Sequence, residues 1–390
     1  MTAPVAQATG HVCHVCGGWD VAAFPEYTSI RRITSDCKLW PAGGELCVCR
    51  SCGCVQKVVN AAWRADEQKI YQGYRMYEQS AGADQIVVDQ HTGLPTGRSA
   101  WLIDQVDCRT RLERKGRLLD FGCGNGALLR VFAARFPGWS LVGVELGGQY
   151  KTEVESIPGV EGLYTGALDG VPGRFDMITL VHAIEHVVDP CALLSQLKGR
   201  LGAEGLLLID CPDYTQNPFD LVVADHCTHF SPDTLRNLVA AAGFDAVLVS
   251  TDILPREIVV LARPRLDASA GPSPSNSDAA AVRRSLAWLA AVREAARMVT
   301  PPGPFGIFGT GLAGTWLFGE MGSAVSLFVD EDEKKAGRDR FGLPVLRPRE
   351  TPAAASVFLA FLPPQALAVQ QRMIRAGCRF TMILPPRVQT

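Results

Sequence analysis

Two short cysteine motifs near the start of the chain carry its most recognisable chemistry. Cys13-His-Val-Cys16-Gly and Cys49-Arg-Ser-Cys52-Gly both have the form C-x-x-C-G. Each motif places two thiolates on one tight turn, and glycine lets the backbone bend past a bound metal. Two such turns supply four soft ligands in a closed tetrahedral arrangement, which suits structural zinc. The sequence therefore predicts a structural Zn²⁺ bound by Cys13, Cys16, Cys49 and Cys52.

The other cysteines leave the ligand set open. The chain has 13 cysteines, and seven of them lie within its first 54 residues. An odd total in a long chain argues against a disulfide framework. Cys47 and Cys54 flank the second motif and offer substitute ligands, while a set of reduced cysteines without metal is the remaining interpretation. A catalytic zinc is disfavoured, because catalytic sites keep one coordination position open to water.

A glycine-rich loop forms the second candidate site. The run LLDFGCGNG, residues 118–126, reads as an apolar strand ending at Asp120, followed by Gly122, Gly124 and Gly126 and then by the helix-like run ALLRVFAARF. Glycines at a strand-to-helix turn let the backbone approach a ligand closely. The next strand-like run, LVGVEL, ends at Glu145, and a carboxylate there is placed to accept both hydroxyls of a ribose. The pattern predicts a nucleoside-containing cofactor.

Alternating elements must position these residues. Between residues 116 and 264 the strand-like runs RLLDFG, LVGVEL, GLYTG, DMITLVH and GLLLID alternate with helix-like runs, and AVLVS and IVVLA follow close together. Strands that alternate with helices of this kind predict a mostly parallel α/β sheet, and the last two runs predict an antiparallel edge. His182 follows the strand DMITLV at the same sheet edge as the glycine loop.

The organisation of the whole chain follows from shifts in composition. We predict a zinc-binding module at 1–60, a helical and aromatic connector at 61–115, the cofactor-binding α/β domain at 116–266, a Pro/Ser/Gly-rich linker at 267–280, and a second α/β domain at 281–390. The last domain contains GTGLAG, residues 309–314, between an apolar strand and a helix. Taken alone, this G-x-G-x-x-G is similar to a dinucleotide fingerprint, while a glycine-rich helix start suits a sugar pyrophosphate equally well, and a purely structural turn is the remaining alternative.

Charge and hydropathy exclude several classes of function. With 38 basic and 40 acidic residues the net charge is −2, which excludes a generic nucleic-acid binder. No apolar run reaches the roughly 18 residues that a transmembrane helix needs, and the N-terminus lacks the features of a signal peptide. We therefore expect a cytoplasmic protein with a small-molecule substrate and with neither nucleic acid nor membrane as a partner.

The spacing D-x-G-x-G-x-G, together with FD…EH on the fourth strand, resembles the class I S-adenosylmethionine-dependent methyltransferases over about residues 100–264. The fold class implied is α/β, with a doubly wound methyltransferase sheet between an N-terminal zinc ribbon and a C-terminal Rossmann-like domain. The resemblance implies that the glycine loop surrounds the methionine part of the cofactor and that Glu145 holds its ribose. The implied S-adenosylmethionine-binding residues are Asp120, Gly122, Gly124, Gly126, Glu145, Leu146 and Leu168.

Nearly the whole chain resembles the bacterial sugar C-methyltransferases. The resemblance rests on the two cysteine motifs, on CGCVQ after the second one, on Tyr71, Tyr74 and Tyr77, and on FDLVVADHCTHFS at 219–231. In the last segment Phe219, Asp220, His226, Phe230 and Ser231 match the family, whereas Val223, Asp225 and His229 stand where it has tyrosine, glutamate and tyrosine. The loop FGTGLAGTW of the C-terminal domain also departs from the family pattern.

The resemblance implies methylation at C3 of a nucleotide-linked 4-keto-6-deoxy sugar, with the C-terminal domain helping to hold the nucleotide-sugar. Methylation at carbon needs a base beside the α-proton, and imidazole suits this role because its pKa lies near 7. We predict His226 as the base, with Asp225 near it, His182 sharing the work and Tyr77 orienting sugar hydroxyls. O- or N-methylation of a small metabolite and a non-catalytic scaffold are the alternatives.

Overall fold

The computed structural model describes residues 11–74, 84, 86–88, 95–166, 168–265 and 279–387. Tyr77 and residues 267–278 of the predicted linker lie outside the described residues. Three sheets organise the described part, one in each of the N-terminal, central and C-terminal regions. None of the helices in these described ranges is long and apolar enough to cross a membrane.

Short strands and a helix make up the N-terminal region. They are β1 (Val21–Ala23), β2 (Arg32–Ile33), β3 (Leu39–Trp40), β4 (Leu46–Cys49), β5 (Val55–Lys57) and α1 (Ala61–Gln72). Strands β1, β4 and β5 pair antiparallel in that order, and β4 is buried along its whole length. Helix α1 begins after Asn60, whose side chain caps it by accepting a hydrogen bond from the Trp63 amide at 2.9 Å.

The central region is a twisted sheet with helices on both faces. Its elements are β6 (Ile86–Val88), β7 (Pro95–Gly97), α2 (Arg98–Thr110), β8 (Gly116–Phe121), α3 (Ala127–Arg135), β9 (Trp139–Glu145), α4 (Lys151–Glu155), β10 (Val160–Thr165), β11 (Phe175–Val181), α5 (Pro190–Lys198), β12 (Leu201–Pro212), β13 (Thr228–His229), α6 (Pro232–Ala241), β14 (Phe244–Ser250) and β15 (Glu257–Pro264).

The strand order of the central sheet is β10-β9-β8-β11-β12-β15-β14. Strands β8 to β12 run parallel, while β15 pairs antiparallel with both β12 and β14. Strands covered by helices on both faces must be apolar on both faces, which is why runs such as LVGV in β9 and LLLI in β12 read as continuous apolar stretches. The predicted parallel α/β sheet and its antiparallel edge are confirmed.

A segment of the central region completes the N-terminal sheet. Strand β13 pairs antiparallel with β5, so that Thr228 lies opposite Gln56 and His229 opposite Val55. Just before this strand, the Ala224 amide donates to the Ile33 carbonyl at 2.7 Å. The N-terminal region therefore fixes the backbone of residues 224–229, which include the predicted base.

The C-terminal region is a second α/β unit, as predicted. Its elements are α7 (Ala279–Arg297), β16 (Phe305–Phe308), α8 (Leu312–Met321), β17 (Leu327–Val329), β18 (Asp339–Arg340), β19 (Leu343–Leu346), β20 (Ser356–Leu359), α9 (Pro363–Arg375) and β21 (Thr381–Ile383). The sheet order is β18-β19-β17-β16-β20-β21, with only β18 antiparallel among these strands. A Cβ on Gly314 would lie 1.9 Å from the Gly309 carbonyl oxygen, so the turn into α8 requires glycine.

One apolar core joins the N-terminal strands, the segment around residues 214–223 and the C-terminal unit. Phe219 lies at its centre, with its ring centroid 5.4 Å from that of Trp288 and 5.6 Å from that of Trp316. The Trp316 indole also donates to the Arg31 carbonyl at 3.1 Å. These contacts anchor the chain directly upstream of Asp220 and His226.

Candidate functional site

The glycine loop lies at the carboxyl end of β8. Gly122, Gly124 and Gly126 have φ values of +76°, +53° and +79°, a backbone conformation in which other residues are strained. A Cβ on Gly122 would approach the Cβ of Ala183, which follows β11, to 2.8 Å. The loop therefore lies against the end of the neighbouring strand, and its amides line the carboxyl edge of the sheet.

Glu145 ends β9 and faces the glycine loop. Its carboxylate accepts hydrogen bonds from the Gly124 amide at 2.8 Å and from the Leu146 amide at 3.0 Å. The Leu146 side chain is 66% exposed, unusual for a large apolar residue and suited to one face of a planar ligand. The sheet thus brings together an acid, a glycine loop and an apolar surface at one edge.

Two of the predicted cofactor residues lie deeper than the others. Asp120 is buried and accepts a hydrogen bond from the Thr179 hydroxyl at 2.7 Å, and burial raises the pKa of its carboxyl group to about 7. Leu168 is also buried, after β10. Asp120 therefore links β8 to β11 beneath the loop, and Leu168 packs in the core at the same edge.

His226 belongs to a buried pair of histidines that share one carboxylate. Asp220 contacts His226 Nδ1 at 2.7 Å and His229 Nδ1 at 2.6 Å, each through a different oxygen. Burial disfavours charge on Asp220, but His229 and His226 outweigh it and hold the pKa of this carboxyl group well below its usual range. A carboxylate only accepts, so both Nδ1 atoms carry their hydrogens and the Nε2 of His226 is free to take up a proton.

The two imidazoles differ in their protonation. Burial lowers the pKa of His226, but the Asp220 carboxylate outweighs this and raises it above its ordinary value. Burial and the Lys57 ammonium lower the pKa of His229 to about 4. His229 is therefore neutral near pH 7, whereas the Asp220 carboxylate stabilises a proton on His226.

Asp225 lies beside His226 but turns its carboxylate toward the N-terminal region. That carboxylate accepts from the Ser35 amide at 2.8 Å. The carbonyl of Asp225 is 3.1 Å from Nδ1 of His186, whose ring stands edge-on to that of His226 at a centroid distance of 4.6 Å. Asp220, rather than Asp225, is thus the carboxylate that orients His226.

His182 occupies the end of β11 between two carboxylates. Its Nδ1 is 3.3 Å from a Glu185 oxygen, and its Nε2 is 3.3 Å from a Glu257 oxygen. Its φ of +50° is a strained conformation for a residue other than glycine. Glu185 therefore lies close to both His182 and His226, while Tyr77 lies outside the described residues.

The four predicted zinc ligands come together. Their sulfur atoms all lie within 4.8 Å of one another, with Cys13 3.4 Å from Cys52 and Cys16 3.6 Å from Cys49. Cys47 instead donates to the Gln56 carbonyl at 3.4 Å. Hydrogen bonds from Cys49 and Cys52 hold the pKa of Cys13 well below its usual range. Thiol groups this crowded, with one favouring the thiolate form, fit a tetrahedral metal site.

Comparisons with known proteins agree with this geometry. A family described as a methyltransferase domain matches residues 101–249. Residues 101–249 belong to a class I S-adenosylmethionine-dependent methyltransferase domain. The Cereibacter sphaeroides (strain ATCC 17029 / ATH 2.4.9) ubiquinone biosynthesis O-methyltransferase is 27% identical to the chain over 154 residues, which cover 34% of this chain and 61% of that protein.

The corresponding Pseudomonas aeruginosa (strain LESB58) enzyme is 31% identical over 100 residues, 24% of this chain and 42% of its own. The chain thus spans less than two thirds of these relatives. Among solved structures, the mitomycin 7-O-methyltransferase MmcR has a TM-score of 0.37 at 17% identity, over 43% of this chain and 53% of that chain.

The residues of the methyltransferase domain fit its cofactor. The Gly122 turn leaves no room for a side chain, and Glu145 presents a half-buried carboxylate beside exposed Leu146. An acid at this position suits ribose hydroxyls, and a glycine loop leaves room for the methionine part. The arrangement of Gly122, Gly124, Glu145 and Leu146 therefore fits the predicted cofactor site.

Sequence reasoning missed several residues of this site. It noted Asp220 as a match to the resembled family but assigned it no role, and it did not single out Arg98, Asp210 or Glu257, which surround His182. Arg98 opens α2, Asp210 lies near the end of β12 and Glu257 opens β15. The sequence signal that could have identified Asp210 is its charge near the carboxyl end of a strand, because in such sheets these strand ends meet at the ligand-binding edge.

Proposed function

We propose that this protein C-methylates a nucleotide-activated keto-deoxy sugar at the carbon next to its carbonyl group. The observation that carries the proposal is the buried His226–Asp220 pair at the edge of the methyltransferase sheet. A carbon acid needs a base held in one tautomer, and Asp220 holds His226 with Nδ1 protonated and Nε2 free. The resemblance to sugar C-methyltransferases over nearly the whole chain supplies the substrate class.

S-adenosylmethionine supplies an activated methyl group when it is bound. Glu145 would hold the ribose, and the glycine loop at Gly122 and Gly124 would surround the methionine part. The chain's own chemistry is then to orient the acceptor carbon and to remove its proton. His226 takes this proton at Nε2, while Asp220 stabilises the resulting imidazolium.

The C-terminal domain is the proposed holder of the nucleotide-sugar. Its G-x-G-x-x-G turn opens α8, where backbone amides at a helix start suit a diphosphate. Asp330 follows the next strand and accepts hydrogen bonds from the Thr310 amide at 3.1 Å and the Thr310 hydroxyl at 2.7 Å. The same domain packs on Phe219, upstream of His226, so substrate binding and the base share one structural support.

Zinc is proposed as a structural ion bound by Cys13, Cys16, Cys49 and Cys52. Three of these cysteines are buried and Cys16 is partly buried. Four protein thiolates complete the tetrahedral coordination of such an ion, so no coordination position is left for a substrate. Its role is to fold the N-terminal region against the segment that carries His226.

O-methylation of a small metabolite is the second candidate. Val223 stands where the resembled family has a tyrosine, and the structure buries it completely. The curated relatives that match the methyltransferase domain are named as O-methyltransferases. A hydroxyl acceptor would need the same base at His226 but no carbonyl group in the substrate.

Product analysis distinguishes the two candidates. The protein is incubated with S-adenosylmethionine and a panel of nucleotide-activated keto-deoxy sugars in deuterated water, and products are analysed by mass spectrometry and NMR. We expect a methyl group on carbon, with deuterium exchange at that position in the absence of cofactor. His226→Ala should slow methylation by about 10²- to 10⁴-fold, while His11→Ala serves as the matched histidine control. A methyl group on oxygen would replace the first candidate by the second.

A further inference from the structure

A buried ion-pair network surrounds His182. Arg98 is buried, and its guanidinium contacts Glu257 at 2.7 Å and also pairs with Asp210. Asp210 is fully buried and uses only one of its oxygens in hydrogen bonds to the described residues. This network connects the start of α2 to β12 and β15, directly beneath the His182 ring.

The charges around His182 are unbalanced without a second cation. Burial raises the pKa of the Asp210 carboxyl group well above its ordinary value and favours its neutral form. The charged carboxylates of this network are therefore Glu185 and Glu257, whereas Arg98 is its permanent cation. Buried charges need partners, because desolvation is costly for an ion that lacks one. A protonated His182 between Glu185 and Glu257 supplies the missing positive charge.

The titration behaviour of the ring agrees with this balance. Burial and the Arg98 guanidinium both lower the pKa of His182, but the Glu257 and Glu185 carboxylates outweigh them and raise it to about 10. The protonated ring is therefore the form present at neutral pH. A ring in that state has no lone pair with which to remove a proton from a substrate.

The His182 ring is also partly exposed. The His182 side chain is 36% exposed, compared with 5% for His226. Its Nε2 hydrogen-bonds Glu257, whereas neither Glu185 oxygen accepts a hydrogen bond from the residues that the structure describes. Nδ1 lies 3.3 Å from one of these oxygens, so its hydrogen, which meets no well-aligned acceptor among the described residues, is the one that a substrate oxygen would share.

We propose that His182 is not a second base but the cationic donor of the site, which binds the oxygen where negative charge develops, and that Arg98 and Glu257 are its positioning residues. The inference rests on the proposed function for the identity of that oxygen. In the reaction, the C–H bond breaks, its proton goes to His226 Nε2, and the electron pair moves onto the carbonyl oxygen beside His182. That pair then forms the new C–C bond as the methyl carbon–sulfur bond breaks, and the carbonyl re-forms while His182 keeps its proton.

Histidine NMR of the intact protein tests the charge assignment without any substrate. The chain has seven histidines, so ring-labelled protein gives few signals, and His182→Gln assigns the relevant one. We expect His182 to stay protonated beyond pH 8 in the wild-type protein. Glu257→Gln should lower its pKa by about 1 to 3 pH units, as expected for loss of an adjacent opposite charge. Glu161→Gln, which breaks an exposed ion pair with Arg117, is the matched control and should leave it unchanged.

Kinetics test the role of the charge. His182→Gln should lower kcat by about 10²- to 10³-fold, as for removal of a preorganised donor to a developing oxyanion. In Glu257→Gln, activity should fall as the pH rises through the lowered pKa of His182, a loss that the wild-type protein shows only at higher pH. A purely structural role for Glu257 would lower activity equally at all pH values.

The outcomes separate this inference from the proposed function. A wild-type His182 that titrates near pH 6 to 7 overturns the inference even if the sugar is methylated at carbon. A persistently protonated His182 in a protein that methylates oxygen supports the inference and rejects C-methylation. A His182→Gln variant with wild-type kcat overturns the donor role, whatever the acceptor is.

Discussion

Removing one of the four proposed zinc ligands should impair methyl transfer at a distance, because the N-terminal region holds the segment that carries His226. Cys49 ends β4, which pairs with β5, and β5 in turn pairs with β13. Cys49→Ser removes one thiolate from the four-sulfur site. Since metal binding supplies folding free energy to such modules, we expect this region to loosen while the central sheet stays folded.

The magnitude follows from the contacts that would be lost. The N-terminal region makes four hydrogen bonds of 2.7–2.8 Å to residues 224–228, donated or accepted by Ile33, Ser35, Lys57 and His14. At about 1 kcal/mol net for each bond, they stabilise the placement of this segment by about 4 kcal/mol. Without this stabilisation the segment that carries His226 is free to shift, and displacing a catalytic group by about 1 Å lowers the rate by about 10²-fold. We therefore expect kcat to fall by about 100-fold in Cys49→Ser.

Three measurements check this prediction on one preparation. Zinc content should fall, and kcat for methylation should fall by about 100-fold. The affinity for S-adenosylmethionine, measured by calorimetry, should change little, because Gly124 and Glu145 hydrogen-bond to each other within the central sheet. Cys108→Ser, at an exposed position of α2, is the matched control and should behave as the wild-type protein. Full activity without zinc, or a cofactor affinity that falls in proportion to kcat, would refute the reasoning.

Three further substitutions probe the site itself. Gly122→Ala should lower the free energy of unfolding, measured by thermal unfolding, by at least about 1 kcal/mol. The substitution places a side chain on a left-handed backbone and brings its Cβ to 2.8 Å from that of Ala183. Glu145→Gln should weaken S-adenosylmethionine binding by about 10- to 100-fold in calorimetry, as expected for loss of charged hydrogen bonds. Asp220 raises the pKa of His226, so Asp220→Asn should lower it. Because a base acts when it is unprotonated, the rise of kcat/KM with pH should then move to lower pH. At the same time kcat should fall.

Matched variants make these outcomes decisive. Gly166 has a φ of +84°, and a Cβ added there would meet no atom of the described residues within 4 Å, so Gly166→Ala reports backbone strain alone. An equal loss of stability in Gly122→Ala would contradict the close approach to Ala183. For the other two substitutions, unchanged cofactor affinity in Glu145→Gln, or a pH profile that moves upward in Asp220→Asn, would contradict the assigned roles.

Local sequence patterns predicted the elements of the fold well. The run LLDFGCGNG specifies a strand, a left-handed glycine turn and a helix start through residues that are adjacent in the chain. The apolar runs of the central unit likewise correspond to β8–β12. Each of these features depends on neighbouring residues, so periodicity and glycine placement are sufficient to locate it.

Contacts between distant segments were beyond the reach of such patterns. Asp225 adjoins His226 in sequence, yet its carboxylate binds Ser35, and Asp220 orients the imidazole instead. The partners of His182 come from three separate elements, at Arg98, Asp210 and Glu257. Nothing in the local sequence of His182 indicates these charges, because only the packing of α2, β12 and β15 brings them together.

The sequence by itself determined the two cysteine motifs, the cofactor loop with its acid and the order of the α/β units, since spacing and periodicity act over a few residues. The tertiary structure alone decided that β13 completes the N-terminal sheet, that Asp220 is shared by two histidines and that His182 lies among carboxylates. The protonation and orientation of a buried group depend on the charges and donors around it, and folding draws those from remote parts of the chain.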